Sequence, residues 1–404
     1  MAAYHQMGDK SRNLVMDPVL SQLYAGAITS PVNEDPGTMR ALCQEIASID
    51  LVFDPQTYNP RSDRGKLARW PYFGELGNYE TAAWQDDAWG ALLGQIVEDC
   101  VQSGHSAVCS PAVAGDSTDE NLGAAMTVGD ALAVHIANRG IEGLQTAFLR
   151  PSTLGAKGRP ATVASILTNG TLERTYCIAN WESTEDHVAD VGKLVGFGQT
   201  LALIAPMRRV LVGFCGPDMI LWKAAGAESV ATGKHDNQLR WTSSRWDPQK
   251  SGGRGGTAYY FEDSLLAWLR TEDIVRLQEI RFPLGLAEDP FFPVIMEHVA
   301  RLAVKPRRRV DVIKNGKPVI KNGKVQQKVE GPPAWTGIGW RQWLWWFAHT
   351  ERRLSRGSIT ARELVNAASK NWETLRDHGF RASDDRNDGR WLASWSATLD
   401  GLGA

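Results

Sequence analysis

The segment from Arg208 to Asn237 constrains the fold of this chain more than any other. RRVLVGFCG reads as a buried strand and PDMILWKAAG as a short helix; AESVATG reads as a second buried strand that runs into Lys234, His235, Asp236 and Asn237. Two strands joined through a single helix run parallel, with a right-handed crossover. Their apolar residues are continuous rather than alternating, so helices must cover both faces of the sheet.

The same alternation spans most of the sequence. Further strand-like runs lie at 23–29, 49–58, 106–115, 144–152, 174–181 and 257–263. Helical patterns fill the intervals at 37–48, 79–104, 125–140, 160–170, 187–205 and 264–280. Strands alternating with helices about eight times, with no hairpin among them, predict a (β/α)8 barrel over residues 1–300. An open doubly wound sheet has the same local pattern and is the alternative. In the barrel reading TAYYFED (257–263) is the eighth strand, and the glycine-rich SGGRGG (251–256) is a loop over the mouth. That loop lacks the Lys-Ser/Thr of a P-loop.

Beyond residue 300 the character changes. VDVIKNGKPVIKNGKVQQKVE contains two Asn-Gly pairs flanked by β-branched residues and lysines, which predicts a basic β-ribbon over 301–330. A helical extension follows over 331–404, and it holds eight of the sixteen tryptophans. Residues 301–328 carry ten Lys or Arg against one acid, Asp311; the whole chain has a net charge of −2, so the local +9 leaves −11 elsewhere. Charge this concentrated favours a polyanionic partner. Arg307, Arg308, Arg309, Lys314, Lys317, Lys321 and Lys324 are the candidate contacts to a DNA or RNA backbone. A solvated hairpin protected by its lysines is the competing explanation. The Trp-rich extension offers a surface for a protein partner or a second copy.

No apolar run has membrane-spanning length, and the N-terminus has no apolar core of the kind a secretory signal needs. Five cysteines lie far apart without a CxxC pair, so buried thiols in a cytoplasmic protein are expected, with neither metal nor cofactor.

In a parallel barrel the C-terminal ends of the strands converge on one functional face. The residues placed there are Thr29; Asp54 and Gln56; Ser110 and Asp116; Arg150; Asn180 and Glu182; Cys215 and Gly216; and Lys234, His235 and Asp236. Asp54 follows Leu51, Val52 and Phe53 and precedes a proline, a poorly solvated place for a carboxylate that suits a general base or nucleophile. An Asx turn is its structural alternative. Lys234 and His235 form the second catalytic candidate, as anion binder or Schiff-base amine with a neighbouring acid/base. Arg150, Asn180, Gly216 and Gly233 are candidate substrate contacts. Gly216 would open a helix N-terminus to phosphate, and Gly233 would let the backbone approach a ligand closely.

The run VLVGFCGPDMILWKAAGAESVATG resembles the closing strands of tRNA-guanine transglycosylase-like barrels, and LVFDPQTY is similar in placement to the early strand of that family that ends in a catalytic aspartate. The resemblance implies base or glycosidic chemistry on a nucleic acid, with Asp54 as general acid/base. Where that family carries its nucleophilic aspartate this chain has Ala231 or Thr232, and the family's Cys/His zinc site is not matched. The expected function is therefore a barrel acting on a nucleic acid or nucleotide-derived substrate. A small-molecule lyase or aldolase centred on Lys234, and a non-catalytic nucleic-acid-binding subunit, are the alternatives.

Overall fold

The computed structural model describes residues 3–59, 64–76, 88–181, 188–246, 258–305, 308–314, 317–321, 324–330 and 335–404. Eight parallel strands form a closed barrel in sequence order. They are β1 (Ala3–Gln6), β2 (Gly26–Thr29), β3 (Asp50–Phe53), β4 (Ala107–Cys109), β5 (Glu142–Leu149), β6 (Arg174–Ala179), β7 (Arg209–Gly213) and β8 (Ser229–Thr232). Closure occurs at Tyr4, which pairs with Gly26 of β2 on one side and with Ala231 of β8 on the other.

The helices, in chain order, are α1 (Arg12–Val15), α2 (Pro36–Glu45), α3 (Ala88–Ser103), α4 (Asp119–Ile136), α5 (Pro151–Leu154), α6 (Arg159–Leu167) and α7 (Val191–Ile204). They continue with α8 (Met219–Ala224), α9 (Asp236–Leu239), α10 (Thr271–Glu279), α11 (Phe292–Val304), α12 (Thr336–Ser355), α13 (Ala361–Asp377) and α14 (Trp391–Leu402). Side-chain caps start several of them: Asp35 accepts from Thr38 N–H, Thr118 from Asn121 N–H and Asp190 from Lys193 N–H.

The strand assignment needs one correction. The eighth stave is not 257–263 but the N-terminal AYHQ, which becomes the first. Tyr260–Glu262 (β9) instead pairs antiparallel with Ala267–Leu269 (β10), outside the barrel. Phe261 there packs against Trp343 and Trp346 of α12, with ring centroids 5.1 and 4.2 Å apart. The hairpin's apolar side chains are thus satisfied by the helical extension and not by a neighbouring strand.

The extension itself lies against the barrel wall. Trp343 Nε1 donates to the Gly233 carbonyl at 3.0 Å, and Tyr24 Oη donates to the Leu344 carbonyl at 2.8 Å. α12 contacts β1, β8 and α8, while α14 lies along α7. Seven of its eight tryptophans, all but Trp340, share one hydrophobic cluster with the outward-facing residues of β5–β8.

Period-two alternation sorts each strand's residues between lumen and outer wall. Ile28, Val52, Ala107, Cys109, Leu144, Phe148, Tyr176, Ile178, Leu211 and Ala231 fill the lumen. The N-terminal end is plugged by Arg174, which lies 3.6 Å from Asp50 and 3.4 Å from Glu142, with its guanidinium 5.0 Å from the Tyr4 ring centroid. Tyr4 Oη donates to Asp50 at 2.6 Å, completing the plug. The lumen is therefore closed below, and chemistry is left to the opposite end.

The predicted ribbon is a branched structure. Arg308–Asp311 (β11) pairs with Gln327–Glu330 (β16) as a stem. Between them sit two short hairpins: Ile313–Lys314 (β12) with Lys317–Pro318 (β13), and Ile320–Lys321 (β14) with Lys324–Val325 (β15).

Candidate functional site at the barrel mouth

Asp54 extends β3 by one residue, on the same side as Val52, so its carboxylate enters the lumen while Phe53 packs outward against Trp70. It is fully buried. Its Oδ1 accepts the Gln56 N–H at 3.0 Å, and its Oδ2 accepts the Tyr58 hydroxyl at 2.6 Å. The Asx turn and the lumenal carboxylate are therefore the same residue. Burial, and next the charge of Asp54, push the Tyr58 hydroxyl far above its ordinary range, so Tyr58 remains a protonated donor.

Four buried donors at this end have no hydrogen-bond partner among the described residues: Gln6 Nε2, Gln56 Nε2, Trp241 Nε1 and Trp246 Nε1, whose ring lies 6.3 Å from that of Tyr58. In each glutamine the other amide atom is fixed. Gln6 Oε1 accepts from Tyr176 Oη at 3.0 Å, and Gln56 Oε1 accepts from Ser30 Oγ at 2.8 Å. Unsatisfied buried amides are uncommon because each forfeits its hydration without replacement. Gln56 also holds a left-handed backbone, φ 52°, which a non-glycine residue adopts only when its surroundings enforce it.

Aromatic rings wall the site. Phe148 lies 4.7 Å from Tyr58 and 4.8 Å from Trp241, centroid to centroid, and Tyr58 lies 6.2 Å from Trp241. Trp241 is held there by main-chain pairing. It bridges Asn180 in parallel register, and its carbonyl accepts the Trp181 N–H at 3.1 Å. An acceptor carboxylate, several free N–H donors and ring faces together suit a planar ligand whose edge both donates and accepts.

The other predicted site residues are distributed differently. Lys234 leaves β8 on the outward side and places its ammonium 4.9 Å from the Trp340 ring centroid; the His235 ring lies 5.5 Å from the same indole. Burial holds the Lys234 amine below its usual range. Burial first and Lys234 second push neighbouring His5 down to about 3. Gly233 does permit a close approach, but of protein: a Cβ there would come within 2.6 Å of the Gln6 carbonyl and of the Gln238 side chain. The Gly216 N–H donates to Asp218 Oδ1 at 2.9 Å, and Asp218 lies 3.8 Å from Arg240, so a carboxylate already occupies that helix start. Arg150 pairs with Asp116 at the half-exposed rim, and its N–H donates to Ser117 Oγ at 2.6 Å. Thr29 turns outward to His105 at 2.9 Å. Cys215 donates to the Val212 carbonyl at 3.2 Å, and Ser110 accepts from Thr146 N–H at 2.9 Å. Glu182, the Asp236 side chain, the 251–256 loop and Arg307 lie outside the described residues.

Sequence reasoning placed Asp54, Gln56 and Asn180 at this end and missed Gln6, Tyr58, Tyr176 and Trp241. Tyr4 and Gln6 carried a usable signal, since both point inward once AYHQ is taken as a strand. Trp241 carried none, because it arrives from a loop. All five cysteines are buried and free, and among the described residues no group of three or more His, Cys, Asp or Glu could hold a metal ion. No described helix is long and apolar enough to cross a membrane.

Comparison with protein-family models and with curated proteins gives no match.

Proposed function

We propose that the barrel mouth binds a nucleobase-like heterocycle belonging to a nucleic acid or nucleotide-derived substrate, and that Asp54 moves a proton on it during base or glycosidic chemistry. The observation carrying this reading is the pairing of the Asp54 carboxylate with the unmatched amide donors of Gln6 and Gln56. A base edge presents acceptors to such donors and an N–H to the carboxylate, and its ring face matches Phe148 and Trp241. Asp54 is poised for general acid/base work because it is buried and oriented by Tyr58.

Ala231 faces the lumen on β8, where the resembled enzymes carry their nucleophile, and this supports binding without catalysis as a second reading. A Schiff-base lyase is not favoured, since Lys234 turns toward Trp340.

The test is incorporation of labelled guanine, adenine, cytosine or uracil into bulk tRNA and duplex DNA, together with release of the resident base. Asp54→Asn should lower the rate at least 100-fold while leaving heterocycle binding, followed by tryptophan fluorescence, within about tenfold. An Asp54→Asn protein that reacts at the full rate would remove the catalytic assignment. Base binding in the parent with no turnover would establish the second reading.

A further inference from the structure

The basic arm is built from a tandem repeat. Residues 312–318 read VIKNGKP and residues 319–325 read VIKNGKV, two near-identical seven-residue units between the strands of the stem. Each unit folds into its own hairpin in the same register: Ile313 opposite Pro318 and Lys314 opposite Lys317, then Ile320 opposite Val325 and Lys321 opposite Lys324. The two hairpins and the stem meet at a ring of three backbone hydrogen bonds. Val319 N–H donates to the Val312 carbonyl at 2.8 Å, Gln326 N–H to Val319 at 2.7 Å, and Val312 N–H to Gln326 at 2.8 Å. Positions 312, 319 and 326 are seven residues apart, so the repeat generates the junction. A closed ring of this kind fixes the direction of each finger.

We infer that these two fingers form a bivalent clamp for the phosphate backbone of a duplex nucleic acid. The proposal deepens the nucleic-acid reading above by naming the form of the partner. In each finger, two lysines stand directly opposite one another, an arrangement that costs stability in an isolated hairpin. Lys314 and Lys317 are exposed, and among the described residues neither pairs with a carboxylate. The acids of the stem are engaged locally: Asp311 accepts from Gln327 Nε2 at 3.0 Å, and Lys328 lies 3.1 Å from Glu330. A polyanion relieves the repulsion between Lys314 and Lys317, and the backbone register repeats that pairing at positions 321 and 324.

The composition chooses among polyanions. Residues 301–334 contain no Phe, Tyr or Trp, although the chain has sixteen tryptophans. Single-strand binders stack bases on aromatic rings, and interfacial membrane segments anchor through Trp or Phe. The apolar side chains exposed on the fingers are aliphatic, Ile313 at 58% and Ile320 at 65%. Charge without aromatic platforms fits a duplex, where the backbone is reached and the bases stay stacked.

The experiment is fluorescence anisotropy of the full chain with a labelled DNA duplex, the matching RNA duplex, and each single strand, over a salt series. If each of the four lysines meets one phosphate, they contribute about 3.6 to the slope of log affinity against log salt. Lys314→Gln with Lys317→Gln should lower the slope by about 1.8, and Lys321→Gln with Lys324→Gln should lower it equally. The corresponding Lys→Arg pairs should keep it, which separates loss of charge from loss of fold. Duplex of either sugar type should bind at least tenfold more tightly than single strand. An unchanged slope in either double variant, equal binding of single strands, or binding to phosphatidylserine vesicles in place of duplex would overturn the clamp. Asp54→Asn should leave every slope unchanged, so failure of the clamp and failure of the barrel chemistry are read separately.

Discussion

Gln56 combines two costs that a folded protein ordinarily avoids, a left-handed backbone at φ 52° and a buried amide with no partner for its Nε2 among the described residues. The preceding residue is pinned through its carbonyl, which accepts the Tyr72 hydroxyl at 2.7 Å, so the turn is enforced from outside the barrel. Strain of this kind amounts to roughly 1–3 kcal/mol and persists where a side chain must be presented in one direction. Gln56→Gly removes the strain together with the donor. We expect its stability to stay within about 1 kcal/mol of the parent, because relief of φ offsets the lost bond from Ser30. Heterocycle binding should weaken by about 1–3 kcal/mol, roughly 5- to 150-fold, as a buried donor is lost. Chemical denaturation and fluorescence titration of the same sample measure both. A variant that is less stable but binds normally would show that Gln56 serves only the turn. The placement of Asp54 was legible from its neighbours, since an acid after Leu51, Val52 and Phe53 and before Pro55 must end a buried strand. Gln6 was legible only once AYHQ is taken as a strand, and a four-residue strand containing a histidine and a glutamine leaves no apolar run to suggest one.

Elements differ in how openly they declare themselves. β2 to β8 are covered on both faces, so apolar runs dominate their sequences despite polar residues such as Gln145, Arg174 and Thr175, and could be read directly. β1 is equally buried but fills its places with Tyr4, His5 and Gln6, and only closure of the barrel demands it. α12 was legible as a helix, yet the reason for its tryptophans lies in what it covers. It is buried around most of its circumference, from Gln342 to Ala348 without interruption. Trp343 bridges two elements, stacking at 5.3 Å on Trp346 and donating to Gly233 at the end of β8. Trp343→Ala should destabilise the protein by about 3–5 kcal/mol, and Trp343→Phe by less, since Phe restores most of the volume but not the N–H. Thermal unfolding of both variants distinguishes the packing loss from the hydrogen-bond loss. Equal stability in all three proteins would mean that α12 is a detachable cover.

At the scale of the whole molecule, burial of ionisable groups sets the response to pH. Burial lowers His5 to about 3 and His105 to about 4, from an ordinary 6.5. The unfolded chain protonates these residues below 6.5 and the folded chain does not, so their contribution is complete above pH 6.5 and declines as the pH falls. Burial also raises Glu262 to about 7 and both Asp289 and Asp99 to about 6. The sign is opposite for these acids. Their contribution is complete below their unfolded values, 4.5 for Glu262 and 3.8 for the aspartates, and is lost as the pH rises through 7 and 6. Each group contributes a slope of at most about 1.4 kcal/mol per pH unit, so between pH 4.5 and 6 the three acids outweigh the two histidines by about one such slope, and between 6 and 6.5 the two histidines outweigh Glu262. Below pH 3.8 the acids have nothing more to add. His5 continues to cost stability, and Asp384, held down to about 2 by Arg386, begins to lose its ion pair. The urea midpoint should therefore dip slightly from pH 6.5 to 6, rise modestly from 6 to 4.5 and fall steeply below 3.8. Glu262→Gln removes one of the three acids while preserving the shape of a residue that accepts from Ser264 and Gly285. In that variant two aspartates face two histidines, so stability should fall from pH 6.5 to 6 and then stay level from 6 to 4.5. A midpoint profile in Glu262→Gln with the same shape as the parent's would mean that the carboxylate of Glu262 is ionised throughout, and that the network beneath α12 is better solvated than its burial implies.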